Sequence, residues 1–145
     1  MGFRFTLASV LRVRDSIEKR EELALQRIQF EILTVQQRIE LLTDEIAQEQ
    51  SQRDKAISEP SPAYHLQDIL SQMNAAIEAR QSLRDSLVPL ELEKEKRMRA
   101  YQEAHAGRQI LTDMLVEQRA SFDKDQVRRQ QKFLDEVFSA RSSRA

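Results

Sequence analysis

From Leu25 onward, apolar residues recur in steps of three and four: Leu25, Ile28, Ile32, Val35, Ile39, Leu42 and Ile46. An unbroken alternation of this kind is a heptad seam, which lays one narrow apolar stripe along a helix for a second helix to cover. The residues between are mostly Glu, Gln, Arg and Lys, suited to a solvated surface. So narrow a seam leaves no room for an enclosed catalytic pocket.

The seam is interrupted at Ser58-Glu59-Pro60-Ser61-Pro62. Pro60 disfavours helical geometry at Glu59, and Ser61 before Pro62 reads as a helix N-cap followed by proline at the first helical position. A link this short predicts an antiparallel helical hairpin. The expected helices cover about residues 6–57 and 63–140, with the bend at 58–62, in one domain over 1–145. In the second helix Leu66, Leu70, Met73 and Ile77 step four, three and four. Leu83, Leu87, Leu90, Tyr101, Ala104, Leu111, Leu115 and Phe122 then continue in a second register. The registers are six residues apart instead of seven, which predicts local overwinding. Pro89 predicts a kink, and Gly107 weakens the helix by about 1 kcal/mol relative to Ala.

The second helix is the longer. Beyond about residue 115 it lacks a mirror partner, yet Phe122, Phe133, Leu134, Val137 and Phe138 lie there. The first helix has its own defect: continued backwards, the seam meets Glu21, Glu18 and Arg14 before Leu11 and Leu7 resume it. Loose zipping is expected at that end. The fold class is therefore all-α, an antiparallel two-helix coiled-coil hairpin whose second helix overhangs at its C-terminal end.

Charge divides the chain. Residues 40–59 carry net −4, residues 1–20 net +3 and residues 115–145 net +2, within an overall −1. The bend and the two termini should therefore favour different partners. With no cysteine, disulfides, thiolate catalysis and cysteine-ligated zinc are excluded. His65 and His105 do not converge with other ligands, and there is no phosphate loop or Ser/His/Asp set. No catalytic, metal or cofactor site is expected, and the chain reads as a non-enzyme. Arg128, Arg129, Arg141 and Arg144 alternate with Asp123, Asp125, Asp135 and Glu136, which argues against nucleic acid. No apolar run reaches the roughly 20 residues of a membrane span, and the first residues lack a signal peptide's apolar stretch. Gly2 is set aside as a myristoylation site for want of a supporting context. The expectation is a cytoplasmic protein without direct membrane insertion. Ile69, Met73 and Ala76 lie one turn apart on one face and form a candidate docking patch, with Ile69 and Ala76 flanking the seam. Phe30, Leu33 and Leu41 point away from it.

The termini carry specific resemblance. Phe5-Thr-Leu7-Ala-Ser-Val10-Leu11-Arg-Val13-Arg14, with Glu18 following, resembles the N-terminal signature of the FliJ family of flagellar export proteins. Gln131-Lys132-Phe133-Leu134-Asp135-Glu136-Val137 resembles its C-terminal signature. The resemblance implies a stalk of the flagellar type III export apparatus that inserts its paired ends into a hexameric export ATPase and promotes its activity. It further implies contact with the transmembrane export gate and with substrate chaperones, at the cytoplasmic face of the inner membrane. Carried onto this chain, Phe5, Leu7, Leu11, Arg14, Phe133, Leu134 and Asp135 would bind the ATPase, and Ile69, Met73 and Ala76 the gate. Three other readings share the architecture: a stalk of a related virulence secretion system, a self-associating coiled-coil scaffold and a hairpin holdase.

Overall fold

A computed structural model describes residues 2–144. Two helices account for nearly all of them: α1, Ala8–Ser58, and α2, Ala63–Arg144. They form an antiparallel hairpin, and at 82 residues against 51, α2 is the longer.

The bend is fixed by hydrogen bonds at the end of α1. The Glu59 amide donates to the Lys55 carbonyl at 3.0 Å, and the Ser58 hydroxyl to the same carbonyl at 3.2 Å. The Ser61 hydroxyl donates to the Ala56 carbonyl at 3.1 Å. Ser61 was expected to accept from the first amides of α2; it instead serves a carbonyl that α1 leaves unpaired where it ends. At the start of α2 the His65 amide bonds the Pro62 carbonyl at 3.1 Å.

By packing the chain divides into two units. One comprises Glu22–Ala100; the other joins the residues up to Glu21 with those from Tyr101 onward. In the first unit all seven seam residues of α1 are at least partly buried, with Ile28, Ile32, Leu42 and Ile46 the most enclosed. Leu42 and Ile46 pack with Met73 and Ala76, and Leu70 and Leu83 close around them.

The register of α2 differs from expectation. Its covered positions run Leu66, Ile69, Met73, Ala76, Arg80, Leu83, Leu87 and Leu90, an unbroken three-four alternation. Ile69 is only 3% exposed, whereas Ile77 is exposed and Leu70 half-buried. The six-residue slip disappears once Arg80 is accepted as a seam residue. Arginine can do this by laying its methylenes along the seam and carrying its head outward; here an Nη1 donates to the Thr43 hydroxyl at 3.4 Å.

Helix α2 is continuous through Pro89, so the proline does not break it. The missing N–H would orphan the Asp85 carbonyl, but Asp85 and Pro89 both lie on the exposed face, where water can satisfy it. Among the described residues no helix is long and apolar enough to cross a membrane.

Candidate protein-docking surfaces

The unit holding both terminal segments starts with a strap ahead of α1. Phe5 is buried, and its carbonyl accepts from the Ala8 amide at 3.1 Å, which starts the helix. Upstream, the Phe3 ring meets Phe122 of α2 with centroids 5.5 Å apart and planes tilted by 57°. The Arg119 guanidinium stands 5.1 Å from the centroid of Phe3 and reaches Asp123 at 3.5 Å. The strap thus supplies Phe122 with the partner that α1 alone would not provide.

The polar gap in the α1 seam is filled, against the expectation of loose zipping. Arg108 donates from Nε to Glu18 Oε2 and from Nη2 to Oε1, the latter at 3.4 Å. His105 Nδ1 lies 3.0 Å from Glu18 Oε1. Arg108 Nη1 also donates to the Thr112 hydroxyl at 3.2 Å, and the Tyr101 ring stacks on His105. The Glu18 side chain is 12% exposed. Hydrogen bonds from Arg108, then from His105, hold its carboxyl below the usual carboxylate range, and Glu18 in turn raises Arg108. Nearby, the Arg14 side chain crosses Gly107, whose missing Cβ would stand 3.6 Å from an Arg14 guanidinium nitrogen. None of this pairing was visible from the sequence, because the partners lie some ninety positions apart and their meeting depends on the register.

Of the residues matched to the termini signatures, Phe5 is buried and Leu7 and Leu11 are half-buried; Arg14 is exposed. Phe133, Leu134 and Asp135 are exposed, as is Phe138 at 75%, while Val137 is half-covered. Val127, Leu134 and Phe138 follow one another at seven and four residues, so they fall on one face of α2 with Val137 beside them. This face is open along the last turns of the helix.

The Ile69, Met73 and Ala76 patch does not form a surface. All three are buried in the seam of their unit. Ile69 was expected to lie off the seam, and the continuous register through Arg80 places it within. On α1 of the same unit, Leu23, Phe30, Leu33 and Leu41 are exposed, Phe30 at 69%. A shallow groove beside Phe30 is lined by Leu23, Gln26, Arg27 and Glu31.

His65 stands in the first turn of α2. Among the described residues no group of three or more His, Asp or Glu side chains is placed to hold a metal ion.

Neither the comparison with curated proteins nor that with solved structures returned a match. The family model described as "Flagellar FliJ protein" matches residues 3–145, taking in both terminal signatures and the whole hairpin. The chain belongs to the FliJ family of flagellar export components.

Proposed function

We propose that this protein acts as a stalk in flagellar type III export, inserting its terminal unit into the hexameric export ATPase and promoting its activity. The observation that carries this is the set of uncovered apolar side chains at the end of α2: Phe133 and Leu134 within the family's C-terminal motif, and Phe138 just after it. Large apolar groups gathered on an otherwise polar helix favour burial in a partner. Phe5, Leu7 and Leu11, buried or half-buried around the strap and the start of α1, would support the N-terminal side of the same contact, and Arg14 offers a charge for an acidic loop of the ATPase. Asp135 sits within the exposed motif as a polar contact.

Contact with the export gate and with substrate chaperones belongs to the same reading, at the cytoplasmic face of the inner membrane. With Ile69, Met73 and Ala76 enclosed, a gate segment would reach them only if the helices parted. The exposed Phe30, Leu33 and Leu41 form the face available to it without opening. Scaffolding by self-association has no separate observation in its favour.

The test is stimulation of the export ATPase. Phe133→Ala and Leu134→Ala should abolish stimulation while the circular dichroism of the helices stays unchanged. Full stimulation by a chain ending at Asp125 would refute the assignment.

A further inference from the structure

In the terminal unit the apolar seam of α1 gives way to Glu21, Glu18 and Arg14, so hydrophobic contact alone does little to distinguish one heptad alignment from the next. What does distinguish them is Glu18 with Arg108 and His105. Their contacts are specific: the carboxylate takes both Arg108 nitrogens and sits at hydrogen-bond distance from His105, and Thr112 holds Arg108 from below.

We infer that the Glu18–Arg108–His105 group is a register lock, fixing how far α1 stands along α2 in the unit that carries both terminal motifs. A slip of α1 by one heptad would bring Leu11 or Leu25 to Arg108 and His105. Glu18 would then face Met98 and Tyr101 in one direction, or Thr112 and Leu115 in the other. Either way a half-enclosed carboxylate loses its donors, and the guanidinium loses its acceptor. Polar groups in a helical seam act in this way: they contribute little net stability, but they penalise every alignment except the one that pairs them.

The lock predicts an effect on alignment and not on helix content. The chain has no cysteine, so Arg12→Cys with Gln109→Cys places one spin label on each helix at exposed positions of this unit. In this background the label separation should form a single population. Glu18→Leu and, separately, Arg108→Leu should keep full helicity and yet split the distances into two or more populations, since a heptad step displaces a helix by about 10 Å. A single unshifted population in either variant would overturn the lock. So would loss of helix in both, because the cluster would then be holding the unit together and not aligning it. The measurement needs no ATPase, so its outcome stands apart from that of the stimulation assay.

Discussion

The Phe3 ring rests against Phe122 at 5.5 Å, tying the strap ahead of α1 to α2. Offset or tilted aromatic pairs contribute about 1 kcal/mol beyond the area they bury, and the Arg119 guanidinium adds a cation–π contact on Phe3. Phe3→Ala should therefore destabilise by about 1–2 kcal/mol in urea unfolding followed by circular dichroism. An unchanged midpoint would show that the strap contributes nothing to the fold.

Ile69→Asp should unfold the unit in which it is buried. A carboxylate placed at a 3% exposed position among apolar side chains is cut off from water, and burying an unpaired charge costs on the order of 3–5 kcal/mol. Phe30→Asp, on the exposed face of α1, should shift stability by less than about 0.5 kcal/mol. If the gate docks on that face, Phe30→Asp will lose the gate's cytoplasmic domain in a pull-down and keep its helicity. Retained binding would move the contact elsewhere.

The Glu18 carboxyl titrates lower in the folded chain than in the unfolded one. Its contribution to stability is complete above the ordinary carboxylate value of 4.5, and is lost as pH falls through the depressed native value. Thermal midpoints taken from about pH 7 to about pH 3 should fall in the acid range, and Glu18→Gln should fall less steeply there. Parallel profiles for the two proteins would mean that the ion group does not hold in solution.

Gly107→Ala should stabilise α2 by about 0.5–1 kcal/mol. A Cβ there meets Arg14 at 3.6 Å and 3.9 Å, which are ordinary contact distances, and Gly107 has no positive φ to protect. A lower melting temperature would mean that Arg14 needs the space.

The α1 seam was legible from periodicity because Leu25 to Ile46 offer one apolar choice at each step. In α2 the same reading failed where two choices stood side by side. Leu70 and Ile77 fit the spacing locally as well as Ile69 and Ala76 do. Only continuity with Leu83 decides between them, and continuity requires admitting Arg80. A rule that keeps charge out of seams therefore picks the wrong face. The same rule read Glu18 as a flaw, although its partners Arg108 and His105 were present in the sequence and lacked only an alignment to bring them together. The Ser61 error was local: a hydroxyl beside a bend can serve the helix that ends as readily as the one that begins.

Apolar enclosure is greatest around Leu42, Ile46, Met73 and Ala76. Amides there should be the last to exchange with deuterium, because opening them exposes the most hydrocarbon to water. Around Glu18 a comparable opening exposes mainly charged groups that water solvates readily, so exchange should come earlier. The signature-bearing segments would then sit in the part of the molecule that yields first, able to adjust to a socket, while the apolar cluster keeps the remainder folded.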